Sequence, residues 1–204
     1  MSRSSRPPSD EGFSLLETVV AIGLVGIVMA SAIVFFVGSQ VSLRRQADLQ
    51  AAVQIAAGSM DYVSQLTGKN VLLGRTKSLV DEQVKDMVPG VEVYFDKDQH
   101  ITKLAYENPA DATSSDLKPL STKGETVLVS SIATPYERSY YVGRCWQKKN
   151  GGLCDAPDSP PSDAVPMYRV VVAVTWPSPQ CPAGKCHYVA AMLTEVDTVD
   201  LTWK

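Results

Sequence analysis

The sequence has no long basic run, and its formal net charge is −3, so nothing in it points to a nucleic-acid surface. Histidine is scarce: only His100 and His187 occur, each in or at the start of a β-like run, where an edge or surface position is expected rather than a general base. The G-x-S-x-G turn, the Walker loop and the dinucleotide fingerprint are all missing. No catalytic constellation stands out, so no enzyme and no cofactor is expected. Cys-x-x-Cys is absent too, and His187 directly follows Cys186, which is poor spacing for zinc. Asp155, Asp158 and Asp163 lie among Pro157, Pro160 and Pro161 and read as a stiff surface loop. Asp96 and Asp98 have the composition of a turn. Neither set has EF-hand spacing, and calcium needs about six oxygens, so no metal site is expected. No repeat of fixed period is present.

Cysteine is absent before Cys145. The 4 cysteines, Cys145, Cys154, Cys181 and Cys186, cluster in a Pro- and Gly-rich region. That pattern favours disulfides and therefore an oxidising compartment. Cys145 with Cys154 and Cys181 with Cys186 are the favoured pairs, since each brackets a Gly-bearing loop, NGG in the first and PAGK in the second. Crossed pairing between the two loops stays open.

The apolar residues, 45% of the chain, are concentrated near its start. From Val19 to Val37 every residue is apolar, Gly or Ser. At about 1.5 Å per residue the run spans ~28 Å, close to the hydrocarbon thickness of a bilayer. A cleaved secretory signal fits less well: the run is long for an h-region, its leader is polar, and no A-x-A-like site closes it. A retained membrane anchor is expected. Arg3 and Arg6 on one side nearly balance Arg44 and Arg45 on the other, so charge does not orient it. The cysteines do: they belong outside, and the N-terminus inside.

Glu17 stands at the mouth of this run. A carboxylate near a membrane helix costs on the order of 2–3 kcal/mol if deep and less near the edge. A purely structural use is to reach the headgroups or to cap the helix. The other use needs a cationic partner within the apolar phase.

GFSLLE, Gly12 to Glu17, followed by the apolar run, resembles the N-terminus of type IV prepilins and of the related pseudopilins of secretion and competence systems. The resemblance covers the leader and the apolar run only. It implies that a prepilin peptidase cuts between Gly12 and Phe13, and that Phe13 becomes the N-methylated first residue. Glu17 then falls at the family's glutamate. The resemblance also implies its partners: other pilin subunits, the peptidase, an assembly platform in the membrane with its cytoplasmic ATPase, and lipid before assembly. In that setting the α-amino group of a neighbour's Phe13 would neutralise Glu17 where neither charge could stay alone, making Glu17 a register device. The membrane segment has no proline between Pro8 and Pro89 and offers Gly23, Gly26 and Gly38 instead. Each glycine weakens a helix by about 1 kcal/mol, or else permits close helix approach.

Beyond Gly38 the chain turns amphipathic. Leu49, Val53, Ala56, Met60 and Val63 recur at helical spacing. The spacing predicts one continuous helix from about Ser14 to about Leu66, stopped at Thr67-Gly68, with a greasy stripe that needs a sheet to pack on. From Lys69 the texture becomes short β-like runs. Val91–Phe95 and His100–Leu104 read as a hairpin turned at Asp96–Gln99. Thr126–Ile132 and Ser139–Trp146 read as strands, and Tyr168–Trp176 is the clearest, with Tyr168, Val170, Val172, Val174 and Trp176 on one face. His187–Thr194 should pair with it, and Thr198–Trp203 would add a last short strand.

The expected fold is α+β: a long N-terminal helix packed on a C-terminal antiparallel sheet. Its expected divisions are a leader at 1–12, a transmembrane and assembly helix at 13–38, an amphipathic second half at 39–68 and a disulfide-bearing head at 69–204. The resulting reading is a minor pilin of a type IV pilus, anchored by a single pass in the cytoplasmic membrane with an extracytoplasmic head and then carried to the cell surface. The alternatives are a pseudopilin of a type II secretion or DNA-uptake system, or a signal-anchored extracytoplasmic enzyme or receptor.

Overall fold

The computed structural model describes residues 14–66, 68–95, 103–107, 117–149, 151, 154–156 and 162–196. The chain divides into two units, residues 1–48 and 49–204. One helix, α1 (Leu15–Gln65), begins in the first and ends in the second.

In the first unit α1 is the whole of the described structure. Ser14 precedes it, and the Ser14 carbonyl accepts from the Thr18 amide at 3.1 Å. From Ser14 to Ala47 every residue is exposed, including Leu15, Val28 and Phe35. Apolar residues on all sides leave the helix no preferred face to bury.

In the second unit the remaining turns of α1 bury Ala52, Ala56, Ser59 and Val63. This corrects the expected stripe: Ala56 and Val63 belong to it and Met60 is half-buried, but Leu49 and Val53 are 45% and 39% exposed. The buried row is the one with the smallest side chains, which let the helix backbone approach its neighbours closely. Ser59 is tolerated there because its hydroxyl donates back to the Ile55 carbonyl at 2.6 Å and accepts from Arg138 Nη1 at 3.3 Å.

Among the described residues the sheet is 6-stranded and antiparallel. Its strands are β1 (Lys103–Leu104), β2 (Glu125–Val129), β3 (Ile132–Lys148), β4 (Cys154–Asp155), β5 (Ala164–Pro177) and β6 (Lys185–Glu195). β3 and β5 form the centre, in register from Glu137↔Thr175 to Lys148↔Ala164. β6 lies beyond β5, while β2, β1 and β4 share the other edge of β3. Alternation along β5 sends Tyr168, Val170, Val172, Val174 and Trp176 into one core with α1. Val171 and Ala173 enter a second core with Val91 and Tyr141 on the opposite face. Burial on both faces explains why β5 reads as a nearly continuous apolar run.

Three expectations are corrected here. Val91–Phe95 is not a hairpin strand: Glu92–Tyr94 makes a single 3-10 turn, with the Tyr94 amide on the Val91 carbonyl at 3.0 Å. Val91, Tyr94 and Phe95 pack together in the second core, a helical spacing, while Val93 faces out. Lys103–Leu104 is a strand, but it pairs with Arg144 and Gly143 of β3. The proposed turn at Asp96–Gln99 lies outside the described residues, as do His100–Thr102 and Thr198–Trp203. Thr126–Ile132 is broken by Ser130 and Ser131, with φ of +50° and +66°, which close a two-residue hairpin from β2 into β3. A helix not among the expected elements, α2 (Lys77–Lys85), is capped where the Thr76 hydroxyl accepts from the Leu79 amide at 3.4 Å.

The outer edge of β3 is open at Tyr140, between its partners β2 and β1. Buried backbone there must find other partners. The Tyr140 amide donates to the Ser121 carbonyl at 3.0 Å. Its carbonyl accepts from Arg75 Nη1 at 3.0 Å and from Gln83 Nε2 at 2.8 Å, and Arg75 Nη2 donates to Gln83 Oε1 at 2.8 Å. Arg75 is fully buried, and among the described residues it has no carboxylate partner. Burial pushes its guanidinium pKa down to about 10, so it remains protonated near neutral pH. Arg75→Ala should therefore lower stability by about 2–4 kcal/mol, through lost charged hydrogen bonds and the void left behind. Denaturant unfolding of the full chain in detergent would measure this, and an unchanged midpoint would contradict it.

Candidate functional site

Glu17 lies in the first turn of α1. Backbone amides in a first turn lack helical partners, so a carboxylate there meets the positive end of the helix dipole. Val20, Ala21 and Leu24 follow it at helical spacing and form a shallow apolar surface with Leu16 and Ser14. Glu17 is exposed, and among the described residues it has no ion-pair partner. The arrangement is a carboxylate at the head of an uncharged apolar face. In water it does no more than meet the positive end of the helix dipole. In a water-free phase it demands a cation. Gly12 and Phe13 lie outside the described residues.

α1 is long and apolar enough to cross a membrane, and its most apolar stretch is not buried at all within the protein. In the head, Cys145 of β3 bonds Cys154 of β4, with their Cα atoms 5.4 Å apart. Cys181 bonds Cys186 across the turn that leads into β6, with a Cα separation of 5.1 Å. Among the described residues no group of three or more His, Cys, Asp or Glu is placed to hold a metal ion. His187 sits exposed on β6. Asp158, Asp96 and Asp98 lie outside the described residues, as does His100. Nearby charges do structural work: Glu125 pairs with Lys118 and with Arg138, whose guanidinium also reaches Ser59 of α1. The Lys118 hydrogen bond, above all, holds the Glu125 carboxyl below its usual pKa.

One feature of the head was not legible from sequence. A groove of about 670 Å³ opens on the face of the sheet that carries Tyr141, between α2 and the Cys181–Cys186 turn. Its walls come from well-separated segments, so no local motif announces it.

Residues 8–33 match the model of the prokaryotic N-terminal methylation motif, the type IV prepilin-type signature. The match contains Gly12, Phe13 and Glu17 and the start of the exposed apolar helix. No curated protein and no solved structure matches the chain. The signature and the apolar helix fit a single-pass membrane-anchored protein. Val28→Lys would put an ammonium near the middle of that segment at a cost of about 2.5–3.5 kcal/mol. Most of the variant should then appear in the soluble fraction after alkaline carbonate extraction, whereas retention equal to wild type would contradict a spanning segment. The long apolar helix and the antiparallel sheet thus form an α+β, pilin-like architecture whose N-terminus carries the type IV prepilin-type signature.

Proposed function

We propose that this protein is a minor pilin, a structural subunit built into a type IV pilus through its N-terminal helix. The observation that carries the reading is Glu17, the one carboxylate at the start of an exposed apolar helix and within the methylation signature. In this reading residues 1–12 are a leader removed by the prepilin peptidase after Gly12, and Phe13 is then methylated. Residues 13–38 hold the subunit in the membrane until the assembly platform lifts it out. Residues 39–68 carry the helix onward into the head at 69–204.

The chemistry of the step is desolvation balanced by pairing. Methylation leaves the Phe13 amine cationic. Packed among neighbouring apolar helices, that amine and the Glu17 carboxylate of an adjacent subunit neutralise each other, and neither is stable there alone. The pair therefore sets the axial register of each incoming subunit. The disulfide-bearing head and the absence of proline from the apolar segment favour a minor subunit over the bulk one. No covalent chemistry is assigned to the head, which faces outward and primes, caps or decorates the fibre.

Glu17→Ala tests the reading. The variant should insert in the membrane and fold as wild type, because only an exposed side chain is lost. Its incorporation into filaments should fall more than tenfold, since breaking one partner of a buried pair costs about 3–5 kcal/mol. Immunoblots of sheared filaments against membranes would show it, and wild-type incorporation would overturn the register role.

A further inference from the structure

We propose that the groove on the head is a binding site for an ammonium or guanidinium group carried on an apolar stem. Its volume of about 670 Å³ falls within the ~300–1,000 Å³ of small-ligand sites. Met87, Val88 and Pro89 line it on one side, and Pro182 and Ala183 line it on the other. These walls suit a hydrocarbon stem.

Its polar groups select the charge. Glu82 is paired with Lys123 at 3.1 Å, and Glu137 with Lys185 at 2.9 Å, so both lysines of the groove are already engaged. Asp86 also lines the groove, and among the described residues it has no cationic partner. It is the C-cap residue of α2. A carboxylate at that end of a helix sits beside the unpaired carbonyls of the last turn, where the dipole is negative and a cation is stabilised. The native chain therefore keeps a charge where its own helix disfavours it.

The floor adds polar groups to this wall. Ser139 and Thr175 lie on the same sheet face and line the groove, and they are only 6% and 8% exposed. Neither hydroxyl is among the described polar atoms that are buried without a hydrogen-bond partner, so both stay accessible from the groove. Two accessible hydroxyls that can accept hydrogen bonds, beside a carboxylate without a cationic partner among the described residues, are complementary to a group that donates hydrogen bonds and carries positive charge. Two sources offer that chemistry: a basic side chain of another polypeptide, or a free organic amine.

Amide chemical shifts of the ¹⁵N-labelled full chain in detergent micelles would test this. The probes are an acetylated, amidated pentapeptide Gly-Leu-Lys-Leu-Gly, the same peptide with glutamate in place of lysine, and n-butylammonium. The lysine peptide should shift the Gly124, Ser139 and Thr175 amides saturably. Asp86→Asn should weaken it about tenfold, the size expected for a lost hydrogen bond to a charged group. Thr175→Val, which removes the hydroxyl and keeps the shape, should weaken it severalfold. Binding by the lysine peptide well above that of butylammonium assigns the site to a polypeptide partner. Equal binding per ammonium assigns it to free amines. No shifts at these amides, equal binding of the glutamate peptide, or an unchanged affinity in Asp86→Asn would each overturn the proposal. None of these outcomes depends on cleavage at Gly12 or on Glu17.

Discussion

A charge without water around it needs an opposite charge, and the N-terminal part of this protein is organised by that constraint. From Leu15 to Val37 the helix exposes apolar side chains on every side, a surface that is stable in lipid or among copies of itself but not in water. Into that surface the sequence places one carboxylate, Glu17, in the first turn. Near the bilayer edge it reaches the headgroups at small cost. Among packed helices it does not, and a cationic terminus must come with it. In the proposed reading, storage in the membrane and ordered assembly are two answers to one electrostatic requirement.

The second unit meets the same requirement by different means. Arg75 is buried with no carboxylate among the described residues and is held by carbonyl and amide oxygens instead. Its hydrogen bonds, with those of Gln83, satisfy the stretch of β3 that no neighbouring strand covers. A sheet whose edge is closed by side chains has no free backbone there to recruit another strand. The disulfide from Cys145 to Cys154 holds the short strand β4 against β3, and the one from Cys181 to Cys186 closes the turn before β6. Loops of this size gain about 2–3 kcal/mol each from such closure by chain-entropy reasoning.

The sequence was most legible where one periodicity ran long. The apolar run and its helical continuation placed α1 within about a residue of its observed ends, and alternation located β6 closely and the C-terminal end of β5, which begins earlier than Tyr168, at Ala164. It was least legible where tertiary packing chose between periods. Val91–Phe95 alternates like a strand, yet Val91, Tyr94 and Phe95 also share a helical face, and Tyr141 supplied the surface that selected it. α2 is short, and its signal was a lone threonine cap. Ser130-Ser131 turns the chain without the Asn-Gly chemistry that announces such turns. Of the candidate site, Glu17 was readable because the motif is local. The groove was not, because Asp86, Ser139 and Thr175 come together only in the fold.

The central claim is that the chain is processed at the Gly12–Phe13 bond and then works through its new terminus. Mass spectrometry of the N-terminal peptide from membrane-purified protein tests it most directly. The account predicts a peptide that begins at N-methylated Phe13. A leader intact from Met1 or Ser2, in cells with an active prepilin peptidase, would contradict it and reduce Glu17 to a helix cap on an ordinary membrane anchor.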